Sequence, residues 1–406
     1  MKNIVKAAAG LATMSAALLL ALILYVQYII PDTLVLDYGE KFVVSERLTL
    51  ASVQGKELTP KIADSSGNVF GLHIHPRGQP VREAMAGAQQ RMVVPGGNPF
   101  GIKLHTQGVL VVGMTDIQRG TKLLNPAKDA GIKVGDVLTH IDGQKLLRGC
   151  DVRILVASSE GDPLTVTLLR GGQTREYTLM AVLSEFDNAY KAGIWVRDSS
   201  AGIGTMTYFD PEQGTFAGLG HAVCDVDTGA VMPLGSGQIV DVNISGVNAG
   251  QSGRPGELRG TFHPSAQIGE LLINSEAGLF GILSDSFISH DPIPMARRAE
   301  IVPGPAVIFS TISGNKPQSF DISIEKVNNS DITPTKNMVI RIKDDRLLAA
   351  TGGIVQGMSG SPIIQDGRLV GAITHVFVND PTRGYGIFAE NMDKQLRSIG
   401  HYEMAA

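Results

Sequence analysis

The chain has 406 residues, 43% hydrophobic and 18% charged, with a formal net charge of −4. That length supports two or three domains with proper cores, and the composition excludes a disordered or highly charged protein. A slightly negative balance without a long Lys/Arg run gives no reason to expect a nucleic-acid partner. The 48 glycines, scattered without period, fit the tight turns of a mainly β fold. Cys150 and Cys224 are too few for a disulfide framework and fall in different expected domains.

Lys2 and Lys6 precede an uncharged, apolar run over residues 7–31. About 20 apolar residues span a bilayer, so residues 1–32 are expected to be a cytoplasmic tip and transmembrane helix. Lysines before the run, and Asp32 and Asp37 after it, place the N-terminus in the cytoplasm. The run ends in bulky residues, Tyr25 and Tyr28 among them, rather than at a small-x-small cleavage site. An uncleaved anchor with an extracytoplasmic bulk is therefore expected.

Residues 33–99 read as a small strand-rich extracytoplasmic region and linker. Lys41-Phe42-Val43-Val44 and Leu48-Thr49-Leu50 are its strands, residues 79–88 a short helix or linker, and Pro95-Gly96-Gly97-Asn98-Pro99 its end. His73-Ile74-His75 lacks third and fourth ligands and reads as a solvated pair rather than a metal site.

Over residues 100–185 a strand runs through Gly108-Val109-Leu110-Val111-Val112. A short helix follows at residues 125–131, then a strand closing at Asp142-Gly143, a helix at 151–159 and a strand at 164–170. Ala130-Gly131-Ile132, Val134-Gly135-Asp136-Val137-Leu138 and Ile141-Asp142-Gly143 resemble a PDZ domain of the bacterial protease type. Such domains bind an extended peptide by strand addition, with the N–H groups of a glycine loop taking a terminal carboxylate. The resemblance puts that loop at Gly108, Val109 and Leu110.

Residues 186–406 read as short strands between glycine turns, at 192–196, 204–209, 239–244, 306–312, 320–327 and 338–342. This is the pattern of a β-barrel or sandwich. Near its end, Gly357-Met358-Ser359-Gly360-Ser361-Pro362 precedes a hairpin turning at Asp366-Gly367. A serine between glycines on a tight turn has an outward hydroxyl and free backbone N–H groups, which a nucleophile and its oxyanion require. Its base must be a histidine. His221, in Gly218-Leu219-Gly220-His221-Ala222, has glycines that admit a close approach and a small following residue that leaves the ring accessible. His263, His290 and His401 have no such frame, and His375 is expected to pack on the hairpin's second strand. Asp344 and Asp345 are candidate orienting acids; Asp210, Asp225 and Asp227 near His221 suit turn or capping roles, and spacing leaves the choice open.

These residues carry a resemblance. Ser200-Ala201-Gly202-Ile203-Gly204-Thr205-Met206-Thr207, Leu219-Gly220-His221, residues 351–364 and Thr374-His375-Val376-Phe377-Val378-Asn379-Asp380-Pro381-Thr382 resemble the stage IV sporulation protein B family of serine peptidases. The order of anchor, PDZ domain and peptidase domain matches as well. The resemblance implies a trypsin-like double β-barrel with His221 as base, Ser359 as nucleophile and Asp344 as acid. Gly357 and Ser359 N–H groups would form the oxyanion hole, with no metal or cofactor. It further implies a membrane-anchored peptidase of sporulation signalling, made in the forespore and acting between its two membranes. That enzyme cleaves its own N-terminal region and a regulator of an intramembrane protease, so that a late mother-cell sigma factor is activated. Cys224 is expected to be a small buried hydrophobe.

Two other protease classes lack their motifs: no lysine follows Ser359 within a turn or two, and no His-Glu-x-x-His string is present. A non-catalytic PDZ adaptor holding a partner at the membrane is the alternative reading; the joint presence of Ser359, His221 and Asp344 argues against it.

Overall fold

The computed structural model describes residues 91–284, 290–329 and 335–403, and four strands nearer the N-terminus. Those strands, β1 (Lys41–Ser45), β2 (Leu48–Ser52), β3 (Lys61–Ala63) and β4 (Val69–Ile74), form an antiparallel sheet in the order β1-β2-β4-β3. The first two coincide with the strands expected from sequence. The expected anchor and the segment at 79–88 lie outside the described residues. Among the described residues no helix is long and apolar enough to cross a membrane. Contacts divide the chain into two compact units, Met1–Gln90 and Arg91–Ala406.

The second unit opens with β5 (Met92–Pro95) and β6 (Pro99–Met114), followed by the hairpin of β7 (Ile117–Arg119) and β8 (Lys122–Leu124). Helix α1 (Pro126–Asp129) is capped by Asn125, whose side chain accepts from the Lys128 N–H, and Pro126 stands in the first turn, where no N–H is needed. β9 (Val137–Ile141) turns into β10 (Gln144–Lys145) at Asp142 and Gly143, both at positive φ (49° and 75°), as an Asp-Gly hairpin requires. Helix α2 (Gly149–Ser158) and the hairpins β11 (Pro163–Arg170)/β12 (Gln173–Met180) and β13 (Val182–Ser184)/β14 (Ala189–Lys191) complete this module. Val109, Val111, Leu138, Ile141, Val166 and Leu168 form its core.

β15 (Ile194–Asp210), β16 (Thr215–Gly218), β17 (Leu234–Asn248), β18 (Glu257–Ser275) and β19 (Gly278–Leu283) follow. Pairing runs β6-β17-β18-β19-β16-β15, and β15 pairs back onto β6, closing a ring around Phe100, Leu104, Phe216, Ile239 and Leu279. After β20 (Ile293–Pro294) come β21 (Gly304–Ser310), β22 (Gln318–Val327), β23 (Met338–Ile342), helix α3 (Asp345–Thr351), β24 (Pro362–Gln365), β25 (Arg368–Phe377) and β26 (Asp380–Phe388). These strands close a second barrel in the order β21-β22-β23-β26-β25-β24 around Ile308, Phe320, Ile322, Ile340 and Ile373. Helix α4 (Ala389–Glu403) packs on β16 and β19 of the first barrel and on β25 and β26 of the second. Its Ala389, Met392 and Leu396 join Tyr208, Phe280 and Leu369 in one apolar cluster across the seam. Each large apolar side chain so buried stabilises by ~1.5–3 kcal/mol, which makes the seam a fixed floor for a site built on it.

The modules share strands across the boundaries expected at residues 99/100 and 185/186. The first part of β6, through Thr106, lies between β15 and β17 in the first barrel; Val109 and Leu110, farther along it, pair with β9 of the PDZ-like module. β15 likewise pairs with the PDZ end of β6 at residues 194–197 before entering the barrel. Two continuous strands, rather than a linker, join the modules.

Candidate active site

Ser359 stands on the turn between α3 and β24, where the second barrel faces the first. Gly357 and Gly360 both have φ +96°, a conformation that suits glycine. A Cβ on Gly360 would collide with the Thr205 carbonyl and the Leu219 nitrogen. That absence lets β15 grip the turn: the Thr205 N–H donates to the Ser359 carbonyl (3.0 Å), Thr205 Oγ1 to the Gly357 carbonyl (2.7 Å) and Thr207 Oγ1 to the Gly360 carbonyl (2.8 Å). Among the described residues, the Gly357 and Ser359 N–H groups donate to no protein acceptor. These are the two donors expected for an oxyanion. The half-buried Ser359 hydroxyl donates to the Thr374 carbonyl of β25 at 2.8 Å.

His221 follows β16, reached through Leu219 (φ +64°) and Gly220 (φ +67°). A Cβ on Gly220 would press on Thr374 and Ile387 (2.9 and 2.8 Å), so the glycine lets this loop lie against β25 and β26. His221 Nδ1 is 2.9 Å from the Ala222 carbonyl. A carbonyl only accepts, so Nδ1 carries the proton and Nε2 the lone pair, the tautomer a general base requires. Burial lowers the His221 pKa against the opposing pull of that carbonyl, which keeps the ring neutral near pH 7.

His375, expected to pack within the hairpin, instead brings its ring to 4.9 Å from that of His221, tilted by 40°. Burial, then His221 and Lys336, push its pKa down to about 4, although the residue keeps exposed surface.

Asp344, the acid implied by the resemblance, makes no hydrogen bond or ion pair with His221 in this structure. Its carboxylate caps α3, accepting from the Arg346 and Leu347 N–H groups at 2.9 and 3.4 Å, and from the Asp321 N–H at 3.3 Å. The Arg346 guanidinium pairs with it at 2.7 Å and, with these N–H donors, holds its pKa at about 2. Asp345 is the first residue of the same helix. Nearer to His221, the buried Asp225 organises its own turn by accepting from the Asp227 and Thr228 N–H groups. Arg197 of β15 bonds both Asp225 and Asp227, tying the loop after His221 to the strand shared with the PDZ-like module. Cys224 in that loop is exposed, contrary to the expectation of burial.

The expected peptide-binding loop is corrected too. Gly108, Val109 and Leu110 lie inside β6: Val109 pairs with Leu138, and Leu110 with Val137 on one side and Arg197 on the other. Leu110 is thus paired on both sides and Val109 on one, and both side chains are buried, so this segment is built into the sheet. Gly108, at φ +97°, marks the passage from barrel to PDZ sheet, and a Cβ there would stand 2.5 Å from the Leu138 carbonyl.

Of the residues expected from sequence, Ser359 stands on the glycine turn with the Gly357 and Ser359 N–H groups free of protein acceptors, and His221 on the loop after β16. Sequence reasoning quoted Thr205 and Thr207 without a role, and missed His375 at His221 and Arg197 at Asp225. Two threonines in a glycine-rich strand that precedes a serine turn were the available signal for the first pair.

The comparisons agree with this architecture. Residues 101–180 match the PDZ domain family. A curated protein of Agrobacterium fabrum, "Putative zinc metalloprotease Atu1380", is 28% identical over 184 residues, 43% of this chain and 46% of that protein. The chain thus spans less than half the length of that relative. Among the described residues no cluster of three or more His, Cys, Asp or Glu is arranged to hold a metal. Crystal structures of the Rv3671c protease from M. tuberculosis align in the active form (14% identity, 50% of this chain and 75% of that one) and in the inactive form (15%, 49% and 84%). Both have a TM-score of 0.29, too low to bear on the site. Residues 188–393, just over half of the chain and the span that holds Ser359 and His221, match the family described as SpoIVB peptidase S55, and the chain belongs to that family.

Proposed function

We propose that the chain is a serine endopeptidase in which Ser359 is the nucleophile and His221 the base, set between two trypsin-like barrels. The observation that carries the proposal is the joint geometry of the turn: two undonated N–H groups flank Met358, and His221 holds its proton on Nδ1. The Ser359 hydroxyl turns from the Thr374 carbonyl toward Nε2, and its oxygen attacks the scissile carbonyl carbon as the proton passes to His221. The oxyanion accepts from Gly357 and Ser359 N–H. His221 then gives its proton to the leaving amine as the C–N bond breaks; water, deprotonated by His221, attacks the acyl carbon, and His221 returns that proton to Ser359 Oγ as the acyl C–O bond to Ser359 breaks.

Family membership supports placing this activity in sporulation signalling. The enzyme is anchored by residues 1–32, with its bulk outside the cytoplasm between the forespore membranes. Its substrates are its own N-terminal region and a regulator of an intramembrane protease, whose cleavage leads to activation of a late mother-cell sigma factor. The test is covalent labelling of the full-length chain by an alkyl fluorophosphonate. Labelling is expected in the wild type and absent in Ser359→Ala and His221→Ala; a wild type that stays unlabelled, or a Ser359→Ala chain that labels equally, overturns the proposal.

A further inference from the structure

The sheet of the PDZ-like module borrows its last strand from the peptidase barrel. Its order is β12-β11-β9-β6, and beyond β6 comes β15, whose Ile194 to Arg197 pair with Met114 to Leu110. Helix α2, the longer helix of the module, packs against this same strand. PDZ domains take an extended peptide as an added strand, so the strand at this end of the sheet decides where a peptide can add. We propose that the substrate adds to β15, one extended peptide lying along its open edge from α2 to the Ser359 turn. This rests on the reading of Ser359 as the nucleophile.

From Thr205 onward that edge is occupied. The Thr205 N–H donates to the Ser359 carbonyl, its own carbonyl accepts from the Leu219 N–H at 3.2 Å, and Met206 to Asp210 pair with β16. The polar groups of a strand alternate between its two edges. The register with β6 is unbroken from Ser199 opposite His105 to Thr205 opposite Pro99. The N–H and C=O of Ile203, Ala201 and Ser199 therefore point the same way as those of Thr205, and among the described residues no strand pairs with them. Ser199 and Ala201 are exposed, and a Cβ on Gly202 would meet nothing within 4 Å. Such an unpaired row of donors and acceptors is a template for another strand.

The two ends of the edge say what the added strand is. Ile203 lies two residues, about 7 Å of strand, from the residue that bonds Ser359, so a chain paired there continues into the site of the nucleophile. At the other end Ile194 and Val196 pack on the apolar core of the PDZ-like module, and the Gly149 N–H of α2 donates to Asp198 Oδ2 at 2.7 Å. Trp195 of β15 and Ile154 of α2 stand exposed there, at 63% and 58%. Trp195 and Ile203 are about 27 Å apart along an extended strand. The occupant that fits is an extended, proline-free segment of a substrate protein, with an apolar residue about ten positions from the scissile bond.

The test uses the full-length Ser359→Ala chain and 12-residue peptides selected on it from a random phage-displayed library. Adding Ala201→Pro is expected to weaken the selected peptides about tenfold or more, because proline removes an outward N–H and spares the pairing with β6. Trp195→Ala is expected to weaken them as well. A second measurement leaves the protein unaltered: N-methylation along the peptide is expected to cost about fivefold or more at alternate positions only, the pattern of a paired strand. Bound peptide is also expected to slow amide hydrogen exchange at Ala201 and Ile203. A library that yields no binder, tolerance of N-methylation at every position, or binding indifferent to Ala201→Pro or to Trp195→Ala overturns the proposal. So does sedimentation of Ser359→Ala as a dimer that Ala201→Pro separates, which would assign the edge to a second copy of the chain. Fluorophosphonate labelling decides the serine-peptidase reading separately: an unlabelled wild type overturns that reading, and the peptide measurements on Ser359→Ala still decide on β15.

Discussion

Replacing Asp344 separates a structural carboxylate from a catalytic one. The carboxyl titrates at about 2 against an ordinary 3.8, and 1.36 kcal/mol per pH unit converts this difference into roughly 2 kcal/mol of folding stability. Asp344 itself is buried, but Arg346, the main cause, has 69% of its side chain exposed, so screening reduces the figure to about 1–2 kcal/mol. Asp344→Asn removes the charge and keeps an N-cap oxygen; Asp344→Ala removes both and adds about 1 kcal/mol. Denaturant unfolding at pH 7 is expected to show these losses, with Asp344→Ala the less stable. Because the folded-state pKa is depressed, the contribution is complete above about pH 4 and disappears as pH falls toward 2, so wild type and Asp344→Asn should converge in acid. Fluorophosphonate labelling of folded Asp344→Asn is expected to stay within a few-fold of wild type. A variant of unchanged stability that labels a thousandfold or more slower would return Asp344 to the catalytic set and refute this reasoning.

Thr205→Val leaves the Gly357 carbonyl without its Oγ1 donor and is expected to cost about 1–2 kcal/mol in unfolding experiments, with slower Ser359 labelling because the oxyanion donors shift with the turn. Arg197→Met strips the buried Asp225 of its cation. About 2 kcal/mol is expected, below the range for a fully buried pair because Arg197 is 29% exposed, together with faster amide hydrogen exchange in the loop after His221. Gly108→Ala places a Cβ against the Leu138 carbonyl at φ +97° and is expected to lower the melting temperature; an unchanged melt with weaker peptide capture would restore Gly108 to a binding loop.

What was readable in the sequence is local chemistry. The glycine turn around Ser359, the Asp-Gly hairpin turns at Asp142 and Asp366, and the glycine-flanked His221 each draw their geometry from neighbours in sequence, since positive φ and close approach are properties of short segments. Mainly β architecture followed from strand spacing, and the free Gly357 and Ser359 N–H groups from the turn itself. What the sequence leaves open concerns residues whose surroundings depend on what arrives from elsewhere. Asp344 carries the same carboxylate whether it orients a histidine or caps a helix, and the arrival of Arg346 and the α3 N–H groups selected the cap. Gly108 to Leu110 look like a glycine loop until β9 pairs with Val109 and Leu110 and β15 with Leu110.

The amino-acid sequence by itself therefore determined the mainly β class and the order of the PDZ and peptidase modules, and pointed to Ser359 and His221 as the proposed nucleophile and base. Tertiary structure decided that β6 and β15 run through both modules, that Thr205 grips the serine turn, and that a second histidine rather than Asp344 lies against His221. The physical reason is range. Turn geometry is encoded within a few residues, whereas a side chain's partner across a closed barrel is set by register and burial summed over strands distant in sequence.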